Sequence, residues 1–211
     1  KGVFAIPVIY PGQKITLKQK YAVRNFAVNF HISAEQVSAD YGTYQGIPDR
    51  YLKPEMKIES DHPSIIKYAK EVVKDEKNPY IIAQKLFADI NLFMTYKTDS
   101  PNAYKGSLNA IHTGEGVCED YTNLFVAASR ALGIPARWKS GYLYLPKEHN
   151  GSPYIRDDGA LDITLMRHTW PEFYLPQIGW EVLDPTFTYK IRSGKWEEKV
   201  RTLFPGYILI N

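Results

Sequence analysis

The chain has 211 residues, 44% of them hydrophobic and 23% charged, and a formal net charge of +3. It is long enough to bury one full core with an appendage, and too apolar to stay disordered. The mild positive charge is spread along the chain and points to no nucleic-acid partner. No stretch approaches the roughly 18 apolar residues that span a bilayer, so no membrane insertion is expected.

From Val3 to Ile32 the chain shows short runs of β-branched and aromatic residues over 3–10, 14–17 and 21–32, broken by the turn pair Pro11-Gly12. This predicts a short N-terminal β region. Residues 34–59 carry scattered Gly and Pro without a sustained period, so they read as a linking segment. The expected division is therefore 1–59 for the N-terminal strands and linker and 60–211 for the main core. The opening Lys1-Gly2-Val3-Phe4 lacks the layout of a signal peptide and has no initiator Met. It suggests a trimmed piece of a longer protein, secreted or from the cell envelope. The oligomeric state is not indicated.

Helices follow. Asp61-His62-Pro63 is a start signal ahead of Ile65, Ile66, Ala69, Val72 and Val73 at helical spacing, and Asn78-Pro79 repeats it ahead of Ile82, Leu86, Phe87, Ile90 and Phe93. A third, short helix is expected over 108–112. A fourth carries the stripe Val117, Tyr121, Leu124, Phe125, Ala128 and Leu132 and meets a stop at Gly133 and Pro135. The period then changes to strands, expected over 136–145, 168–175, 180–184, 187–191 and 200–209. A turn over 176–179 makes a hairpin that brings His168 and Asp184 roughly opposite each other.

Cys118 is the only cysteine, which excludes an internal disulfide and any paired-cysteine zinc or redox motif. It follows the turn Gly114-Glu115-Gly116-Val117 and lies in the first turn of the fourth helix, where unpaired N–H groups and the helix dipole favour a thiolate. His168 and Asp184 come later in the chain. A thiol, a base and an orienting carboxylate are the parts of a thiol acyl-transfer enzyme. The Cys118 backbone N–H would serve as one oxyanion donor, and a second is expected that the sequence does not name. Glu119 and Asp120 suit the positive end of the helix, and Asp120 could also brace the site. His31, His62, His112 and His149 have no partner pattern and read as surface or structural residues.

The blocks Gly116-Val117-Cys118-Glu119-Asp120-Tyr121, Arg130-Ala131-Leu132-Gly133-Ile134-Pro135-Ala136-Arg137, His168-Thr169-Trp170-Pro171-Glu172, Gly179-Trp180 and Asp184-Pro185-Thr186 resemble the transglutaminase-like core, over about residues 60 to 190. The resemblance implies a papain-like α+β fold with the nucleophile helix packed on an antiparallel β-sheet. It also implies Cys118 as nucleophile, His168 as base and Asp184 as its orienting residue, in a cysteine peptidase or amidase that acts on peptide or glutaminyl amides through a thioester. Trp170 and Trp180 would be core or pocket walls. The alternatives are a protein-glutamine amine gamma-glutamyltransferase, which crosslinks, and a non-catalytic binding module.

The expected partner is a protein or peptide substrate, with no cofactor and no metal. One thiolate, one imidazole and one carboxylate leave a structural zinc site a ligand short. The acidic loop 156–162 lacks the alternating ligands of an EF-hand, so calcium is possible there but not indicated; the loop reads better as a cap over the cleft before His168.

Overall fold

A computed structural model describes residues 8–16, 32–39, 44, 46–143, 159, 162, 166–186 and 207–209. Helix α1 (Pro63–Val73) starts on His62, whose Nδ1 accepts from the Ser64 N–H at 3.2 Å, and α2 (Pro79–Phe93) starts on Asn78, whose side-chain oxygen accepts from the N–H groups of Tyr80 and Ile81. Both have proline in the first turn, where the missing donor costs nothing. After α2 come the two-residue strand β1 (Thr95–Tyr96), α3 (Ser107–Thr113) and the two-residue strand β2 (Glu115–Gly116). β1 and β2 pair in parallel, Tyr96 against Gly116.

Helix α4 (Cys118–Ala131) is the centre of the molecule. The sequence predicts one apolar stripe along it; in the structure every residue from Asp120 to Arg130 is buried, because α1, α2 and α3 cover the sides that the sheet leaves. Phe125 packs edge-on against Phe173 of the sheet, ring centroids 6.0 Å apart, and Leu124, Val126, Leu86 and Ile90 complete the same core. Full burial of such side chains stabilises by about 1.5–3 kcal/mol each. The polar Arg130 is accommodated in this core by donating to the carbonyls of Ala136 at 2.9 Å and Lys53 at 2.6 Å and to Glu55 at 2.8 Å. The helix stops where expected: Gly133 takes the left-handed region at φ 80°, and β3 (Ala136–Leu143) begins after Pro135.

The main sheet has the order β5-β4-β3-β6, all antiparallel, with β4 at Arg167–Leu175, β5 at Gly179–Val182 and β6 at Tyr207–Leu209. The β4–β5 hairpin forms at the expected turn. β5 ends two residues earlier than its sequence suggests, because Asp184 turns its carboxylate onto its own chain and Pro185 has no N–H for a ladder.

The segment 46–60 differs most from its reading as a linker. It has no period because it is held by separate anchors: Ile58 lies in the core, Tyr51 meets Trp180 edge-on at 5.0 Å, and Lys53 and Glu55 hold Arg130. Of the predicted N-terminal strands, residues 1–7 and 17–31 lie outside the described residues; residues 8–16 show the Pro11-Gly12 turn, Gln13 N–H to Tyr10 C=O at 3.0 Å, and no strand pairing. The predicted strand 187–191, most of 200–209 and most of the loop 156–162 also lie outside the described residues.

Candidate active site

The turn before α4 is built around a carboxylate. Asp120 is fully buried, and its two oxygens accept four backbone N–H groups: Val117 at 3.0 Å, Tyr104 at 2.9 Å, Lys105 at 3.0 Å and Gly106 at 3.3 Å. Such a set neutralises the cost of burying the charge and ties the loop 104–106 to the helix start. It also explains Gly116, since a Cβ there would stand 2.6 Å from the Asp120 Cβ. Asp120 thus braces the turn in addition to suiting the dipole, and Glu119 pairs with Lys57 at 2.9 Å. Cys118 is left as the first residue of α4, half-buried, with its N–H turned out of the helix ladder.

The hairpin brings the other two residues to this point. The β4–β5 register, continued past the end of β5, sets Asp184 opposite Trp170, on the same face as His168 and diagonal to it. Asp184 reaches back so that its Oδ2 lies 2.5 Å from His168 Nε2, and both side chains are buried. The other oxygen, Oδ1, accepts from the N–H of Thr186 at 2.9 Å and its hydroxyl at 2.6 Å, and Asn91 of α2 donates to the Pro185 carbonyl at 2.9 Å. The carboxylate is therefore oriented before it meets the imidazole. Gly141 stands opposite His168 on β3, so no side chain lies directly across the ladder from it. Trp170 is buried and stacks on the ring, centroids 6.2 Å apart at 24°. Trp180 lies instead in a cluster with Tyr51, Tyr174 and Arg137.

Cys118 and His168 interact side chain to side chain. With Nε2 occupied by Asp184, the nitrogen that faces the sulfur is Nδ1. Burial pushes the thiol up, but the His168 hydrogen bond, the Thr169 hydroxyl and backbone and the His168 charge outweigh it, so Cys118 ionises below an ordinary thiol. Burial likewise disfavours imidazolium, and the hydrogen bonds and charges of Asp184 and Cys118 overcome it, raising His168 to about 9. Both shifts favour a thiolate–imidazolium pair, which is the reactive state of a cysteine nucleophile.

Two neighbours are invisible in the sequence patterns. Thr169 has a buried hydroxyl with no oxygen or nitrogen partner among the described residues, and it favours the thiolate. Tyr96 sits on β1, which is too short for a period, and burial first, then the Cys118 charge, push its phenol up to about 12. Among the described residues no group of three His, Cys, Asp or Glu side chains could hold a metal, and no helix is long and apolar enough to cross a membrane.

The family model of the transglutaminase-like superfamily matches residues 66–185. Among curated relatives, the uncharacterized protein YebA of Bacillus subtilis is 25% identical over 195 residues, 88% of this chain and 23% of that protein. The chain thus spans about a quarter of that relative's length. Among solved structures, a candidate cysteine protease from Cytophaga hutchinsonii is 25% identical at a TM-score of 0.53, covering 67% of this chain and 43% of that one. The periplasmic domain of TgpA from Pseudomonas aeruginosa, solved with bound ethylmercury, shares the fold at a TM-score of 0.52 and 23% identity, covering 74% of this chain and 53% of that one.

Proposed function

The chain belongs to the transglutaminase-like superfamily, with its papain-like α+β fold, and we propose that it is a cysteine peptidase or amidase that cleaves peptide or glutaminyl amide bonds through a thioester on Cys118. The reading rests on one observation: His168 stands between the half-buried thiol and the Asp184 carboxylate, bonded to the latter at 2.5 Å. The likeness to the candidate cysteine protease from Cytophaga hutchinsonii supports hydrolysis.

In this mechanism the Cys118 thiolate attacks the amide carbon, and the oxyanion is held by the Cys118 N–H, which points away from the helix ladder. The C–N bond breaks as His168 Nδ1 gives its proton to the leaving amine. The neutral imidazole then takes a proton from water, whose oxygen attacks the thioester; the carboxylic acid leaves and the thiolate–imidazolium pair returns. Asp184 holds the ring by Nε2 throughout, so the same nitrogen always faces the reaction. An amine replaces water as acceptor only where a groove concentrates it, because water stands at ~55 M and must be beaten by an effective molarity of oriented groups.

The test is a peptide library incubated with the protein and quenched in acid. The expected result is an acyl adduct on Cys118, absent from Cys118→Ala, whose peptide products carry a free carboxylate even with millimolar cadaverine present. Efficient cadaverine incorporation into a glutamine-containing protein, lost with Cys118→Ala, would replace hydrolysis by crosslinking. Undiminished turnover in Cys118→Ala would remove the thioester altogether.

A further inference from the structure

Two turns close on the first turn of α4, and each holds a large side chain out into solvent. In one, Glu55 and Ile58 exchange backbone hydrogen bonds at 3.0 and 2.9 Å, so Met56 and Lys57 form its tip. In the other, the N–H groups of Tyr104, Lys105 and Gly106 all turn onto the Asp120 carboxylate. The turns are locked to each other: the Ser107 N–H donates to the Lys57 carbonyl at 2.9 Å, and a Cβ on Gly106 would stand 2.8 Å from the Lys57 Cα. Lys57 Nζ in turn meets Glu119 at 2.9 Å, so the pair of turns is anchored on the two residues that follow Cys118. Lys57 and Tyr104 both sit in the left-handed region, at φ 69° and 65°, which is strained for any residue with a Cβ and persists only where the surroundings enforce it. Yet Met56 is 91% exposed and Tyr104 57%. Rigid, strained backbone here carries apolar surface that no core uses.

We propose that Met56 and Tyr104 form an apolar ledge beside Cys118 that receives an aromatic or aliphatic side chain of a peptide substrate next to the scissile amide, and so sets where the peptide is cut. This rests on the thioester reading given above. The turns that carry the ledge bind Glu119 and Asp120, so a peptide that brings its carbonyl to Cys118 passes over them. Glu119 takes the Lys57 charge, which leaves a thioether and an aromatic ring as the surface offered. A thioether adapts its shape and a ring offers a broad flat face, and an apolar side chain laid on them removes all three from water. A charged side chain would lose hydration there, and glycine would bring nothing to bury. Because the backbone beneath is already fixed, little order remains to be lost on binding. The ledge makes and breaks no bond; it acts on kcat/KM by holding the residue that flanks the reacting amide.

The experiment measures kcat/KM on internally quenched peptides of one sequence in which the residues on either side of the cleaved amide are varied among Phe, Leu, Gly and Asp. p-Nitrophenyl acetate, which has no side chain to place, reports on Cys118 alone. Wild type should prefer Phe or Leu over Gly at one of the two positions by roughly 10²-fold, and Tyr104→Asn and Met56→Ser should each cut that ratio by roughly tenfold. Asn accepts the left-handed backbone and keeps the N–H that Asp120 binds, and Met56 is exposed enough for Ser to leave the fold intact. A wild type without an apolar preference, or a preference that either variant leaves unchanged, overturns the ledge. So does an equal loss on every peptide, which would mean that the turns only support the nucleophile. If p-nitrophenyl acetate acylates Cys118 but no peptide with a flanking Phe or Leu is cleaved, the ledge falls and the thioester chemistry stands. If the ester acylates Cys118 no faster than free cysteine, the thioester reading falls and the ledge with it.

Discussion

Strand β4 carries two buried charged clusters, and they are built in opposite ways. At its start His168 is held by one carboxylate through Nε2 and turns its other nitrogen to the Cys118 sulfur, so each of the two groups shifts towards its charged form. At its middle Glu172 binds Arg137 at 2.5 Å, with Lys139 at 4.0 Å, and the guanidinium lies 3.9 Å over the Trp180 ring and 5.8 Å from that of Tyr51. The second cluster is closed by aromatic faces. The first opens on a thiol beside an exposed phenol. The same strand thus uses one ion pair to tie β4 to β3 and another to hold a ring beside a thiol, and only the second should answer to chemistry.

The largest break in this contrast comes from Asp184→Asn. The amide can still accept from Thr186, so the fold should remain, but it can donate to Nε2 and favour the wrong tautomer of His168. Hydrolysis of p-nitrophenyl acetate should fall by roughly 10²–10⁴-fold, less than on losing Cys118. A wild-type rate in a folded Asp184→Asn protein would mean that another group orients the ring.

Glu172→Gln probes the second cluster. Removing the carboxylate leaves the Arg137 charge largely unpaired, which should lower stability by about 1–3 kcal/mol, read from the urea midpoint at constant slope. Cys118 alkylation should not change. A loss of thiol reactivity without a loss of stability would show that the clusters are coupled.

The smallest effect concerns Glu181, which faces Phe173 across the hairpin; burial first, then the Glu172 charge, raise its carboxyl to about 7. The folded protein therefore keeps a proton that the unfolded chain has lost between about pH 4.5 and 7, so stability falls as pH rises through that window and stays lower above it. Glu181→Gln should match wild type near pH 5 and melt higher near pH 8. An equal difference at both values would show that ionisation of Glu181 is not the cause.

The sequence made the helices and the three residues that meet at the start of α4 legible because each has a local signature. Pro63 and Pro79 start helices, Gly133 and Pro135 stop one, and the cysteine turn, the histidine strand and Asp184-Pro185-Thr186 are short contiguous blocks. What could not be read depends on distant contact. Gly116 looks like a turn residue, yet its requirement is the Asp120 side chain against its Cα. Asn78 reads as a helix cap, and its amide nitrogen also donates to the carbonyls of Ala34 and Val37. Segment 46–60 has no period since its anchors are single residues on three partners, and Tyr96 enters the site through a ladder of two residues.

The central claim is that Cys118 and His168 share charge as a thiolate and an imidazolium, and the rate of Cys118 alkylation by iodoacetamide as a function of pH tests it most directly. The lone cysteine makes the reading unambiguous. The account predicts a wild-type thiol that reacts well below the pH at which a free thiol of pKa ~8.5 does, with a second inflection towards about 9 as His168 loses its proton. It also predicts that His168→Ala moves the profile up to that of an ordinary buried thiol. A wild-type profile that follows a single ordinary thiol titration, unchanged in His168→Ala, would contradict it.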